Sequence, residues 1–317
     1  MVKRSVRPHD AAMAPTVVEG VGSSGLGART QIEIESQPEV WRRALADAGS
    51  GALLARPGER VLVLGCGTSA FVAESMAVLR EAAGLGLTDA AYASEPFAWR
   101  DYDTVIALTR SGTTTEVLEA LAALPSGTRR VVVTGVADSP VVELADEVLL
   151  LDYADEESVV QTRFPTTTLL LARAAYGEDV SGLPDACAAA MAEPLPVATA
   201  DVDHFVFLGR GWTRGLAQEA ALKIRESAQA WAETYPLLDY RHGPLAVAGP
   251  RSLVWVVGES DASLEADVRR VGATVVAGQH DPLVELTVLQ RLALAVARDR
   301  GLDPDHPRHL TRSIVLT

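Results

Sequence analysis

Two cysteines, Cys66 and Cys187, are all that the 317 residues contain. That excludes a disulfide framework and a cysteine-built zinc site. Histidine is also sparse: the six are scattered, and no His-x-x-Glu-His or Cys-x-x-Cys occurs, so no metal is expected. No apolar run approaches the ~18 residues of a membrane-crossing helix. Lys3, Arg4 and Arg7 are followed by no apolar core, so a secretory signal is not expected. Lysine occurs only at Lys3 and Lys223, and basic residues are outnumbered: 28 Lys+Arg against 42 Asp+Glu gives −14, with a pI near 4.9. Such a surface repels phosphate backbones and anionic lipid, so neither nucleic acid nor a membrane is expected as a partner. The expected compartment is the cytoplasm. What is present is a globular composition, 48% hydrophobic and 22% charged, in a length that suits two domains at about 100–200 residues each.

Residues 1–28 show no helical or strand period and read as a disordered tail. Glu33 to Pro38 then lead into Trp41 and Leu45, the pattern of a helix with proline near its start. Val61-Leu62-Val63-Leu64 is an all-apolar run suited to a strand covered on both faces. It ends at Gly65-Cys66-Gly67-Thr68-Ser69 and passes into an Ala-rich helix over 71–83. A second strand, Thr104 to Leu108, ends at Thr109-Arg110-Ser111-Gly112-Thr113-Thr114-Thr115, with a helix over 116–124. Further strands fall at Val131–Val133 and Val148–Leu151. Strands alternating with helices predict a parallel sheet with crossover helices, an α/β sandwich.

The pattern then recurs. Phe205 to Thr213 repeats the Gly-x-Gly turn 144 positions on, again before an Ala-rich helix, and Leu253–Val257 ends in Gly258-Glu259-Ser260. Two copies of one α/β domain follow, 29–180 and 200–317, with a linker between 178 and 202 where Gly, Pro and Ala dominate.

Gly65-x-Gly67 alone is an ordinary strand-to-helix turn. It is no dinucleotide fingerprint, since Ser69-Ala70 stand where a third glycine belongs, and no P-loop lysine follows. No cofactor is expected. Two hydroxyl-rich loops at the carboxyl ends of neighbouring parallel strands, each before a helix N-terminus, nevertheless suit a phosphate monoester on a sugar. Glu219, Lys223 and Glu226, at i, i+4 and i+7, share one helix face. Such a trio is commonly a solvated ion-pair face, but the Ala-rich flanks imply close packing. His242-Gly243-Pro244 follows the aromatic stretch Trp231 to Tyr240 and reads in isolation as a loop.

Together these residues resemble the sugar-isomerase (SIS) family, in particular the isomerase half of glutamine–fructose-6-phosphate aminotransferase and the hexosamine-6-phosphate deaminases. The markers are Glu33-Ile34-x-x-Gln37-Pro38, Gly65-x-Gly67-Thr68-Ser69, Ser111-Gly112-x-Thr114, Glu219-x-x-x-Lys223-x-x-Glu226, His242-Gly243-Pro244 and Asp303-x-Asp305-x-Pro307-Arg308-x-Leu310. The resemblance implies two tandem SIS domains, each a flavodoxin-like αβα sandwich, with the C-terminal tail completing the site. It places Gly67, Thr68, Ser69, Thr109, Arg110, Ser111 and Thr114 around the sugar phosphate, where the family has glutamine in place of Arg110. Val159, Val160 and Gln161 fall in the segment that lines the sugar pocket. Glu226 takes the position of the base that moves a proton between C1 and C2, oriented by Glu219 and Lys223. His242 would open the ring in the neighbouring subunit of a homodimer.

The family ends in Lys-Ser-Val, and here the text is Arg312-Ser313-Ile314. Arginine stays protonated and forms no imine. The expectation is therefore imine-free chemistry, with Arg312 as a fixed positive charge near the developing enolate oxygen. The implied substrate is a hexosamine 6-phosphate, isomerised or deaminated after loss of the C2 proton. Elimination of water from C3 of the N-acetylated sugar is the alternative outcome, and a non-catalytic phosphosugar sensor the alternative of another class. Glu226 and His242 together speak against the sensor.

Overall fold

The computed structural model describes residues 25–47, 49–95 and 100–316. The apolar runs become parallel strands. Val61–Gly65 (β1), Thr88–Tyr92 (β2), Thr104–Leu108 (β3), Arg129–Thr134 (β4) and Glu147–Leu150 (β5) form one sheet in the order β2-β1-β3-β4-β5. Every residue of β1 and β3 is buried, as a strand covered on both faces requires. His204–Gly209 (β6), Trp231–Pro236 (β7), Ser252–Val257 (β8) and Thr274–Ala277 (β9) form a second parallel sheet in the order β7-β6-β8-β9.

The helices are Ala28–Glu35 (α1), Gln37–Ala46 (α2), Thr68–Ala82 (α3), Thr115–Ala122 (α4), Arg163–Ala175 (α5), Leu183–Ala192 (α6), Thr213–Ala228 (α7), Ala262–Arg270 (α8) and Pro282–Asp299 (α9). One hydrophobic cluster runs through both halves by way of α3, α5, α7 and α9. Buried aliphatic side chains such as Leu169, Ile224 and Leu292 each contribute about 1.5–3 kcal/mol to it. Where α3 meets α7, a Cβ on Gly215 would lie 2.2 Å from the Phe71 carbonyl oxygen, so only glycine lets the two helices approach this closely.

Three expectations change. The segment read as a linker contains α6, whose Cys187 and Ala190 are buried against α2 and α9. Gly182 before it and Pro184 in its first turn are signals that start a helix as readily as they mark a loop. Of the tail expected over 1–28, residues 1–24 lie outside the described residues, while Gly27 N–H donates to Asp303 Oδ1 at 2.8 Å and Ala28 opens α1. The edge strand β2 was not anticipated, because its residues after Thr88 are only half-buried or exposed and carry no apolar run. Among the described residues no helix is long and apolar enough to cross a membrane.

Candidate active site

The turn that ends β1 is dictated by its glycines. A Cβ on Gly65 would sit 2.5 Å from Ser69 Cβ, and Gly67 has a left-handed φ of 53°. The chain therefore reverses tightly and starts α3 at Thr68. Cys66, Gly67 and Thr68 form one wall of a cavity of about 160 Å³, and Thr114, the residue before α4, forms another. Val159 and Gln161 close it from the loop before α5, Glu226 from α7, and residues 310–314 from the C-terminal segment. The expected residues Gly67, Thr68, Thr114, Val159, Gln161, Glu226 and Arg312 are thus brought together. Larger cavities exist. One of about 480 Å³ beside β9 contains none of the expected residues, and its Glu285 accepts from Trp255 Nε1 at 2.6 Å. Convergent polar groups, not volume, single out the smaller one.

Behind Glu226 lies an ion cluster sealed from water. Lys223 Nζ donates to Glu226 Oε2 at 2.6 Å and to Thr68 Oγ1 at 3.1 Å, and stands 3.2 Å from Glu219 Oε1. Lys223 and Glu219 are 1% and 0% exposed. Burial raises the Glu219 carboxyl to about 7, against the pull of Lys223. For Lys223, burial works against the ammonium, but Glu219 and Glu226 outweigh it and its pKa is raised. Glu226, with a side chain 20% exposed, is the member that reaches the cavity. A carboxylate at the cavity wall is thus held from behind by a buried ammonium.

Other expected residues stand elsewhere. Arg110 is 2% exposed and does not line the cavity: Nη1 donates to the Ser158 carbonyl and Nη2 to the Arg312 carbonyl, each at 2.8 Å. Its guanidinium ties the loop before α5 to the C-terminal segment. Ser111 Oγ meets Ser313 Oγ at 3.1 Å, and Thr113 Oγ1 donates to Ser313 Oγ at 2.9 Å. Ser69 and Thr109 are buried outside the cavity wall. Arg312 lines the cavity, yet Nη2 meets both Asp155 oxygens at 2.6 and 2.5 Å and Nε donates to the Glu156 carbonyl. The fixed charge expected at Arg312 is held by this pair with Asp155. His242 is exposed and apart from the cavity.

Sequence reasoning passed over Asp155, Glu156 and Ser158, whose contacts shape the 155–162 loop, and over Leu310 and Thr311 in the wall. The only available signal was their nearness to Val159 and Arg312. Among the described residues, no group of three or more His, Cys, Asp or Glu is placed to hold a metal ion.

The site now meets its relatives. A model of the SIS domain matches residues 53–176, which contain both hydroxyl-rich loops and the 155–162 loop. The chain is a SIS-domain protein. Its sequence is 31% identical over 343 aligned positions to the glutamine–fructose-6-phosphate aminotransferase [isomerizing] of Aeropyrum pernix, covering 89% of this chain and 54% of that one. The SIS-domain chain thus spans about half the length of that relative. A solved glucosamine-6-phosphate deaminase from Thermotoga maritima superposes with a TM-score of 0.80 at 27% identity, covering 91% of this chain and all of that one. The tagatose-6-phosphate ketose/aldose isomerase of Escherichia coli shares the fold, with a TM-score of 0.77 at 22% identity over 94% and 99% of the two chains.

Proposed function

We propose that this SIS-domain protein is an enzyme that removes the C2 proton of a hexosamine 6-phosphate and carries the sugar on to isomerisation or deamination. The observation that carries the reading is Glu226: it lines the cavity together with Thr68 and Thr114, anchored from behind by a buried lysine. Loops before two helix starts suit the phosphate, and the carboxylate takes the proton. For an open-chain 2-amino sugar, Glu226 moves the C2 proton to C1, turning the aldehyde–amine into a hydroxymethyl–imine. Water then attacks the imine carbon, and ammonia leaves with the ketose phosphate behind. The name of the Thermotoga maritima neighbour supports this outcome.

Among the described residues no lysine is placed to form an imine with substrate in this reading. Lys223 is sealed between two carboxylates, and Lys3 lies outside the described residues. Exposed His242 fits a role in a neighbouring subunit, so the working unit is read as a homodimer. Mixing Glu226→Gln with His242→Ala subunits then restores activity. No rescue, with exchange verified, places both residues in one subunit's site.

Incubation with glucosamine 6-phosphate and with its N-acetyl form, products read by mass, tests the main reading. Ammonia and a hexose phosphate from the free amine are the expected result. Loss of water from the N-acetyl sugar alone replaces it with the dehydratase. Binding of either sugar without turnover replaces it with a sensor.

A further inference from the structure

Glu33 has no part in the site as described, yet it is 3% exposed and stands behind the loop that walls the cavity. Its helix is anchored from the far end of the chain: Asp305 accepts the N–H groups of Arg29 and Thr30 at 2.8 and 2.9 Å. From that fixed helix, Glu33 Oε1 accepts the N–H of Glu157 at 2.6 Å and of Ser158 at 3.2 Å. Its Oε2 meets Ser158 Oγ, and Ser158 Oγ also stands 2.9 Å from the Val160 carbonyl oxygen.

Counting protons decides what this means. A serine hydroxyl has one hydrogen, and a carboxylate has none to donate. Facing an ionised Glu33, Ser158 would have two acceptors and could satisfy one. With a proton on Oε2, Glu33 donates to Ser158 Oγ, Ser158 donates to Val160, and Oε1 keeps both amides.

The surroundings agree. Burial and the neighbouring Glu156 raise the Glu33 pKa. Glu156 accepts from the N–H groups of Thr162, Arg163 and Phe164 and from the Thr162 hydroxyl, an acceptor-only pattern. The cations packed around the loop are engaged elsewhere: Arg110 by Ser158 and Arg312 carbonyls, Arg163 by the Asp155 carbonyl and Ser36, Arg312 by Asp155. Arg29 pairs with Glu157 at the surface.

We propose that Glu33 is a positioning residue, a neutral acid that fixes the backbone of residues 157–161 so that Val159 and Gln161 face the ligand. The proposal rests on the cavity being the phosphosugar site. Above the Glu33 pKa the proton is lost, Ser158 can no longer serve Val160, and the wall loosens.

Glu33→Gln and Glu33→Ala in the full chain test it. Glutamine is neutral, and its amide can donate to Ser158 as the acid does. With glucosamine 6-phosphate, wild type should show a KM that climbs as pH rises through the raised Glu33 pKa. Glu33→Gln should keep the low-pH KM and lose the climb, while Glu33→Ala should raise KM about tenfold with kcat little changed. Without any ligand, amide-exchange protection over residues 159–161, corrected for intrinsic rates, should fall with pH in wild type and stay flat in Glu33→Gln. A Gln variant as impaired as Ala, or a wild-type loop whose protection ignores pH, overturns the proposal. If wild type does not turn over the sugar, the functional reading fails, and the exchange experiment still decides the role of Glu33. If Glu33→Ala does not fold, the comparison of wild type with Gln stands alone.

Discussion

The two halves build the same turn and use it differently. Gly67 and Gly211 have φ of 53° and 57°, and a Cβ on Gly65 or Gly209 would collide with the helix that follows, 2.5 Å from Ser69 or 2.4 Å from Thr213. In the first half the turn opens on the cavity with Thr68. In the second, Thr213 Oγ1 is consumed by Arg210, at 2.9 Å from its N–H and 3.1 Å from its carbonyl, and the Trp212 carbonyl accepts from Ser75. The second half instead supplies Glu219, Lys223 and Glu226 from α7. A further difference lies after the fourth strand. β4 reaches α5 only after residues 135–162, which hold β5 and the cavity-lining loop, whereas β9 reaches α9 through residues 278–281. One frame thus occurs twice, with the hydroxyl-rich loops in the first copy and the Glu219, Lys223 and Glu226 trio in the second.

The comparison breaks most sharply at Glu226. Glu226→Gln is expected to lower turnover by ~10²–10⁴-fold while glucosamine 6-phosphate still binds. Steady-state kinetics with calorimetric binding check this, and unchanged turnover moves the proton acceptor to another residue. The seam between the halves comes next. Gly215→Ala places a Cβ against Phe71 and Ser75, and overpacking of this kind costs about 1–3 kcal/mol. Denaturant unfolding should show that loss. Gly211→Ala, with open space around its Cβ, should lose only the left-handed backbone preference, about 1–2 kcal/mol.

The buried trio gives the second half a pH signature of its own. Glu219 is raised from 4.5 to about 7 in the folded state, so between these values the folded chain holds the proton that the unfolded chain has released. Its contribution is full below about 4.5 and is lost as pH rises through about 7. Thermal melts across this window should decline more in wild type than in Glu219→Gln, and parallel curves would refute the assignment. The smallest effect is expected at Arg312. Its pair with Asp155 is 41% and 28% exposed, so Arg312→Ala should change stability by less than about 1 kcal/mol. A larger fall in kcat than in affinity would show that the charge serves catalysis as well as the latch.

What the amino-acid text determined by itself is whatever depends on local spacing. Apolar runs such as Val61–Leu64 and Thr104–Leu108 announced the buried strands, the two Gly-x-Gly turns announced the repeat, and i, i+4, i+7 spacing put Glu219, Lys223 and Glu226 on one face. The edge strands β2 and β9 were not legible, because half-exposed strands carry no long apolar run, and β7 showed only as part of an aromatic stretch. Neither was α6, whose alanines say little until α2 and α9 bury them. Tertiary structure alone decided which polar groups face the cavity. The text offers Arg110 beside the sugar phosphate and Arg312 as a fixed charge; the fold turns Arg110 to the Ser158 and Arg312 carbonyls and Arg312 to Asp155 and the Glu156 carbonyl. Glu33 shows no function until the loop folds onto it. Charge and hydrogen-bonding capacity are written in the sequence, but they are spent on whichever partner lies within ~3 Å, and only the fold sets that distance.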